Sequence, residues 1–464
     1  MNGFQSLENL EELHLFQNKL VAIESTAFQH LNRLKKLDLS YNQIEKIELN
    51  GFQGLDNLEQ LFLFGNKFKT IEENSFKHLK KLKKLVLEEN QIENIELNGF
   101  QGLENLEELN LKGNRLNLIE SNRFQHLNKL KRLTLENNKI KDIILYELKD
   151  LEYFDLSRNS LNKIESAKFQ HLKKLKILNL KSNRIEKIEL NSFQGLDNLE
   201  ELIFYENKLV KIESNSFQHL NKLRKLNLNN NVIEEIKLNG FQGLDHLEEL
   251  HLKGNILNLI ESNTFQHLNK LKRLILEENK IKEINLDGFQ DLEYLDLGKN
   301  FLNKIDSNIF HHLTKLKKLC LDNNKIEQIE LNGFKGLETL QELYLHVNKL
   351  IKIEPNLFQH LNKLKKLCLG YNQMEKIEMS GFQGLDNLEQ LDLNGNRFTQ
   401  IDLNYFKHLN KLKILNLSEN QIVKIDFNAF EGLENLEEFY LNENPFKRLD
   451  PILIENMKNL KFII

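Results

Sequence analysis

Residues 100–114 read FQGLENLEELNLKGN, and residues 124–138 read FQHLNKLKRLTLENN. The two stretches share one spacing of Phe, Leu and Asn, although a Glu-Glu pair in the first becomes a Lys-Arg pair in the second. Before each final Asn, apolar residues alternate with polar ones, which is the pattern of a short strand with one buried face. One such strand cannot bury its leucines alone, whereas stacked copies can. The repeated stretch therefore predicts a solenoid with a parallel sheet along one side.

The spacing continues along the whole chain as LxxLxLxxNxLxxIxxxxFxxLxx. Successive Asn residues are 24 positions apart, except at the steps 138–159 and 279–300, which are 21 residues long. We predict a single domain over residues 1–464 with about 19 repeats, because a fixed period overrides the usual relation between length and domain number. Residues 111–133 also return almost unchanged at 252–274, which indicates that a six-repeat block was duplicated.

The recurring Asn sits where the chain leaves each strand, and a short amide there can satisfy backbone groups of the turn and of the adjacent coil. We predict this structural role for the column Asn18, Asn42, Asn66, Asn90, Asn114, Asn138, Asn159, Asn183, Asn207 and Asn231, which continues to Asn444. A Phe comes ten residues after most of these Asn residues, as in Phe76 and Phe100. These Phe side chains should stack as a spine, which we expect both shortened repeats to lack.

This pattern resembles the leucine-rich repeat, in the 24-residue, Phe-containing class that is typical of animal extracellular proteins. The resemblance covers essentially the whole chain. It implies a right-handed β/α superhelix shaped as a horseshoe, with a concave parallel sheet of about 19 short strands. The convex side would consist of loops, turns and short 3-10 segments around the Phe spine. Extracellular members usually carry Cys-rich caps, and this sequence shows none.

Charged residues make up 28% of the chain, but the formal net charge is only −4. Nucleic-acid binders usually carry a basic excess, so we do not expect a nucleic-acid partner. No apolar run approaches 18 residues, so the sequence predicts no membrane span.

The position after the first strand Leu alternates in sign, as in Glu59, Lys83, Glu107 and Lys131. Equivalent positions on neighbouring strands lie about 4.8 Å apart, so alternation makes neighbours attract. We interpret the alternation as a stacking device, with a striped docking surface as the alternative.

The sequence contains no glycine-rich phosphate loop, metal motif or nucleophile elbow. Nine His residues follow the spine Phe at intervals of two coils, roughly 10 Å, which favours a structural role over metal binding. Cys320 and Cys368 stand two strands apart, about 9.6 Å, beyond the reach of a disulfide. We therefore predict two free thiols, no cofactor and no enzymatic activity.

The positions that point out of the strands or into the following turn vary from coil to coil, unlike the scaffold positions. Exposed aromatic side chains are common interface anchors. The predicted partner-contacting residues are Phe16, Tyr41, Phe62, Phe64, Val86, Tyr153, Ile203, Tyr205, Tyr344, His346 and Tyr371. Asn416, in the tripeptide Asn-Leu-Ser, is a candidate glycosylation site.

We expect non-catalytic recognition of a protein ligand by the concave face. The similarity to Toll-like, Slit-like and insect immune repeat proteins implies an ectodomain in innate immunity, adhesion or developmental signalling, outside the cell or at its surface. The alternative is a cytoplasmic leucine-rich repeat scaffold or adaptor, favoured by the free thiols and Cys-free ends. The repeat register runs to both ends of the sequence, so end-on self-association is a further expectation.

Overall fold

In the computed structural model, the described residues are 4, 6–378, 380–446, 450–455 and 457–463. They form two compact units, one of Met1–Asn231 with Gly240–Leu244 and one of Val232–Asn239 with Asp245–Ile464. Each unit is a parallel-strand solenoid in which every repeat makes one coil, so the predicted fold class is confirmed.

The first unit presents one short strand per coil on its sheet. These strands are Glu12–His14, Lys36–Asp38, Gln60–Phe62, Lys84–Val86, Glu108–Asn110, Arg132–Thr134, Tyr153–Asp155, Ile177–Asn179, Glu201–Ile203 and Lys225–Asn227. They pair in parallel and in register, so that the central Leu of each strand lies beside the next, as in Leu13, Leu37 and Leu61. The central residue is buried in nearly every strand, whereas its two neighbours mostly keep partial exposure.

The second unit repeats this arrangement. Its sheet strands are Glu249–His251, Arg273–Ile275, Tyr294–Asp296, Lys318–Cys320, Glu342–Tyr344, Lys366–Cys368, Gln390–Asp392, Ile414–Asn416, Glu438–Tyr440 and Phe462–Ile463. The 21-residue step keeps the register, because Leu274 still pairs with Leu295. The shorter repeat therefore loses residues outside its strand.

Beside the sheet, much shorter parallel ladders join the coils two by two, a feature that the sequence did not predict. In the first unit, Ala22–Ile23 pairs with Lys46–Ile47, Thr70–Ile71 with Asn94–Ile95, Leu118–Glu120 with Asp142–Ile144, and Lys163–Ile164 with Lys187–Ile188. In the second, Leu259–Ile260 pairs with Glu283–Ile284, Lys304–Ile305 with Gln328–Ile329, Lys352–Ile353 with Lys376–Ile377, and Gln400–Ile401 with Lys424–Ile425. Two further short strands are Lys211–Ile212 and Glu235–Ile236. We call two coils joined by such a ladder a coil pair.

Opposite the sheet, the described chain consists mainly of turns, with 3-10 helices at Ser121–Phe124 and Pro451–Ile454. The Phe spine lies under these turns, and the ring centroids of Phe52, Phe76 and Phe100 are 6.0 and 6.3 Å apart. The prediction that both shortened repeats lack a spine Phe is wrong for the second one. Phe289 is buried there, 5.2 Å from Phe265, because the missing residues fall after it. In the first shortened repeat, Leu148 is the buried residue.

The Asn column makes the same hydrogen bonds in successive coils from Asn42 onward. The Asn114 Nδ2 donates to the carbonyl oxygens of Leu87 and Leu111, both at 3.0 Å. Its Oδ1 accepts from the Ile92 amide at 2.9 Å. One side chain thus joins the turn of its own coil to two backbone groups of the preceding coil.

The alternating charges make ion pairs inside the coil pairs. The Lys83 Nζ lies 2.9 Å from Glu59, and the Lys131 Nζ lies 2.8 Å from Glu107. The same pairing recurs in the second unit between Lys317 and Glu293 at 2.8 Å. These contacts support the interpretation of the alternation as a stacking device.

Gln341 breaks the alternation and shows what the charge does. Because Gln341 offers no carboxylate, Lys365 lies 3.9 Å from Glu389 in the following coil. Glu389 is shared, since it also pairs with Lys413 at 2.8 Å. A single neutral residue therefore reverses the direction in which the lysine pairs.

Candidate binding surface

The sheet face of each unit consists of the first and third residues of each sheet strand, together with the residues that follow in the turn. Phe16 and Tyr41, at the start of the first unit, are 49% and 50% exposed. The Tyr41 ring packs edge-on against Phe64, with centroids 4.6 Å apart. It also covers Gly65, where a Cβ would lie 2.9 Å from the ring. The packing fixes Tyr41 in place while leaving half of its surface open.

Phe62 and Val86 are neighbours in the strand register of the same region. Phe62 is half-buried, but Val86 is only 9% exposed. Val86 therefore offers little area to a partner, although it was predicted as a contact residue. The accessible apolar surface here comes from the aromatic side chains alone.

In the middle of the first unit, the predicted contact residues are half-buried and held by polar partners. Tyr153 donates to the Asp155 Oδ2 at 3.1 Å, and the Arg132 guanidinium carbon lies 4.1 Å above its ring. Burial and the adjacent Asp155 carboxylate raise the pKa of Tyr153 to about 12. Further along the sheet face, the Lys181 ammonium lies 4.9 Å from the Tyr205 ring centroid, with Ile203 on the same coil.

In the second unit, Tyr344 pairs in register with Cys320 on one side and Cys368 on the other. Its hydroxyl donates to Glu342 at 2.9 Å, and its ring centroid lies 6.2 Å from His346. Burial and the Glu342 hydrogen bond raise the pKa of Tyr344 to about 12, so the phenol remains a donor at neutral pH.

Tyr371 is the most open of the predicted residues in the second unit, at 48% exposure. Its hydroxyl donates to Glu419, two coils further on, at 2.9 Å. Its ring lies over Gly395, where a Cβ would approach within 2.5 Å. Tyr371 and Tyr41 are thus held in the same way, each over the glycine of the following coil.

Both thiols are free, as predicted, and both are buried in the sheet face. Burial raises the pKa of Cys320 to about 12 and that of Cys368 to about 11. A nucleophilic or metal-binding cysteine needs an accessible thiolate, so these two side chains act as small apolar residues.

Asn416, the predicted glycosylation site, ends a sheet strand and is half-buried. Its Oδ1 accepts from the Ser418 amide at 3.0 Å. It borders a depression of about 210 Å³ on the sheet face that Asp392 and Tyr440 also line. Sites that enclose small molecules usually measure about 300–1,000 Å³, so this depression suits a protruding side chain better than a whole ligand.

The His column hydrogen-bonds between coils. The His78 Nε2 lies 3.1 Å from the Asn50 Oδ1, and the His126 Nε2 lies 3.3 Å from the Asn98 Oδ1. No group of three or more His, Cys, Asp or Glu in the described residues is placed to hold a metal ion. No helix within the described ranges has the length and apolar character that crossing a membrane requires.

The structure adds two features that the repeat pattern did not single out. The first is the stacking of an arginine on a tyrosine, seen for Arg132 with Tyr153 and again for Arg273 with Tyr294. The duplicated block could have shown it, because both members recur at the same offset. The second is a set of leucines far from the sheet, in alternate coils, that are mostly exposed: Leu49, Leu97, Leu190, Leu238, Leu331 and Leu403.

With the fold and its sheet face defined, comparison with known families assigns the class of the chain. A family model described as Leucine rich repeat matches residues 8–68, 65–116, 80–140, 291–350, 338–398 and 387–446. A second, described as BspA type Leucine rich repeat region, matches residues 162–296. The chain belongs to the leucine-rich repeat family, whose members are typically protein-interaction modules.

Several solved structures share this fold. A chain of the TLR13–ssRNA13 complex is 26% identical with a TM-score of 0.52, over 98% of this chain and 77% of its own length. The LRR protein LIC12759 of Leptospira interrogans is 23% identical with a TM-score of 0.59, over 100% and 97%. Toll from the Drosophila Toll–Spatzle complex is 19% identical with a TM-score of 0.68, over 96% of this chain and 55% of its own length. Among curated proteins, no match was found.

Proposed function

We propose that this chain recognises another protein through its sheet face, without catalysis. The observation that carries the proposal is the pair Tyr41 and Tyr371. Each ring is about half exposed, yet each is fixed over a glycine of the next coil. A rigid, exposed aromatic ring contributes large contact area at a small entropic cost, which is the property of an interface anchor.

The rest of the sheet face supports this proposal by its composition. Its inner positions repeat Leu, whereas its outer positions change from coil to coil among aromatic, charged and amide side chains. Such a surface offers many different polar contacts around a few apolar anchors, as protein interfaces do. The small depression beside Asn416 gives no enclosed chamber for a reaction.

We further propose that recognition takes place at the cell surface or outside the cell, in innate immunity, adhesion or developmental signalling. The solved Toll–Spatzle complex is described as a hub of development and innate immunity, and this chain shares its fold. The free thiols favour the alternative of a cytoplasmic scaffold. However, the two thiols are buried and their pKa is raised, so they are compatible with either compartment.

A nucleic-acid ligand is the competing hypothesis, because one chain of similar fold was solved with single-stranded RNA. The charge of this chain argues against it. A formal net charge of −4 gives no overall attraction for phosphates, and the ion pairs of each coil pair neutralise many of the lysines.

The proposal can be tested by photo-crosslinking. A photoreactive phenylalanine analogue would replace Tyr41 or Tyr371, with Leu190 as the control position, since Leu190 is also exposed but lies off the sheet. The chain would be exposed to secreted and surface proteins and, separately, to cytosol. We expect one protein to be captured from both sheet-face positions and not from position 190. Capture of RNA, or of the same protein at all three positions, would contradict the proposal.

The N-terminal aromatic group gives a second test of this proposal. Phe62→Glu should weaken binding of the captured partner by about tenfold or more, because it places a charge inside the apolar group. The melting temperature should change little, since Phe62 is only half-buried. Leu190→Glu is the matched control and should leave affinity unchanged. Equal affinity for the two variants would remove this group from the interface.

A further inference from the structure

The sheet face contains the same arrangement of side chains twice. Arg132, Tyr153 and Asp155 recur as Arg273, Tyr294 and Asp296, each 141 residues later. In the first copy the guanidinium carbon lies 4.1 Å above the tyrosine ring, whose hydroxyl donates to the aspartate at 3.1 Å. In the second copy the two distances are 3.9 and 3.0 Å. We call each set of three residues an arginine–tyrosine site.

Beside each arginine–tyrosine site, a glutamate bridges two cations. In the first unit, Glu136 lies 3.0 Å from Lys112 and 3.7 Å from Arg158. In the second unit, the corresponding Glu277 lies 2.6 Å from Lys253 and 2.9 Å from Lys299. The flanking charges therefore neutralise one another in both copies, even though an arginine in one is a lysine in the other.

Duplication alone would copy every position, but the copies have diverged around these residues. On the same coils of the sheet face, Thr134 corresponds to Ile275, and Ser157 corresponds to Gly298. The neighbouring coils differ as well, since Ile177 corresponds to Lys318. Both arginine–tyrosine sites are unchanged amid these substitutions. The buried core does not need the arginine, because its side chain is exposed in both copies.

Each stacked arginine is left with free hydrogen-bonding capacity. Over the residues that the structure describes, neither guanidinium makes an ion pair or a side-chain hydrogen bond with the rest of the chain. Glu108 is adjacent to Arg132 in the strand register, but it pairs with Lys84 at 2.9 Å. A guanidinium held flat by an aromatic ring presents its N–H edge in a fixed direction, which suits the two oxygens of a carboxylate.

We propose that the two arginine–tyrosine sites each bind a carboxylate side chain from an acidic segment of a protein partner, so that one chain binds two such segments. This inference rests on the proposed function and specifies its partner chemistry. A phosphodiester backbone suits the sites less well, because Asp155 or Asp296 and the bridging glutamate would repel its continuous negative charge.

The test uses the full chain and a phage-displayed library of random twelve-residue peptides as the probe. The peptides enriched on the wild-type chain should contain Asp or Glu, and calorimetry should give about two peptides bound per chain. Arg132→Ala and Arg273→Ala should each reduce this to about one, and the double variant should abolish binding. Arg132→Lys should weaken its own site about tenfold or more, because lysine keeps the charge but loses the planar fork.

The matched control is Arg115→Ala, which removes an exposed arginine that pairs with Glu93 off the sheet face. Its stoichiometry and affinity should equal those of the wild type. A stoichiometry of one, a double variant that still binds, or enriched peptides without acidic residues would overturn the inference. Binding of a single-stranded oligonucleotide that requires both arginines would also overturn it. The proposed function is distinguishable, since it fails only if crosslinking from Tyr41 and Tyr371 captures no protein.

Discussion

The Asn114 carboxamide connects two coils because it combines a donor and an acceptor on a stem of one carbon. Its three hydrogen bonds serve backbone groups that are buried from water. Aspartate in that place would offer no donor, and serine would be too short to serve both coils. An unsatisfied buried backbone group costs about 1–3 kcal/mol, so the amide matters more to the stack than its size suggests.

Asn114→Ala should therefore lower the free energy of unfolding by about 1–3 kcal/mol for the groups left unpaired. Asn117→Ala, an exposed position in the same coil, is the control and should change it by at most about 0.5 kcal/mol. Urea denaturation followed by circular dichroism measures both. Equal midpoints for the two variants would show that the Asn column is dispensable.

Burial of the thiols leads to a second prediction at this scale. The pKa of about 12 for Cys320 and about 11 for Cys368 leaves very little thiolate at pH 8. We expect iodoacetamide to modify the native chain far more slowly than the urea-unfolded chain, and to modify Cys368 before Cys320. Mass spectrometry of tryptic peptides gives the order. Rapid modification of Cys320 in the native chain would be inconsistent with this picture.

Among the elements, the turn opposite the sheet explains why glycine and histidine alternate after the spine Phe. Gly102 has φ +96°, and a Cβ there would lie 2.6 Å from the Lys77 backbone in the preceding coil. At the same place in the next coil of that kind, His126 has no positive φ and reaches back to Asn98. The glycine turn allows close approach within a coil pair, and the histidine turn bonds one coil pair to the next.

Gly102→Ala should be strongly destabilising, because it adds a steric overlap with backbone to an unfavourable φ. Gly113→Ala is the matched control, since it has φ +67° but its nearest contact would be the Glu89 side chain at 3.2 Å. Differential scanning fluorimetry should show a larger loss of melting temperature at position 102. A larger loss at position 113 would mean that φ alone, rather than packing, determines the turn.

Much of this level of structure follows from sequence, and some does not. Strand positions and the Asn column follow directly from period and spacing, because the burial pattern is local. The ladders beside the sheet could not be predicted, since two-residue strands such as Thr70–Ile71 carry too few residues to show a pattern. The contact residues remain predictions. Val86 shows the difficulty, because its burial depends on its neighbours across the strands rather than on its own position in the repeat.

In each unit as a whole, the working module is the coil pair rather than the single coil. The side ladder joins Thr70–Ile71 to Asn94–Ile95, and the Glu59–Lys83 ion pair joins the same two coils. The Gly102 turn packs within this pair as well. The His78–Asn50 hydrogen bond, in contrast, links it to the preceding coil pair. Neighbouring interfaces in the stack therefore alternate between two kinds.

This alternation predicts different outcomes for two deletions. Removing residues 58–105 takes out one coil pair and places Glu107 beside Lys35, so both kinds of interface are rebuilt. Removing residues 58–81 takes out one coil and places Lys83 beside Lys35, with no His78 to bond Asn50. We expect the longer deletion to keep a melting temperature nearer to that of the full chain. A more stable short deletion would refute the coil pair as the module.

The coil pair also gives the array a parity. A copying error that adds or removes an odd number of coils leaves two like interfaces side by side, whereas an even number leaves the sequence of interfaces intact. The internal duplication fits this rule, because its offset of 141 residues spans six coils, five of them full-length and one shortened. Growth by even steps copies surface features along with the scaffold. A chain of this kind therefore acquires a second copy of a binding site in the same event that lengthens it.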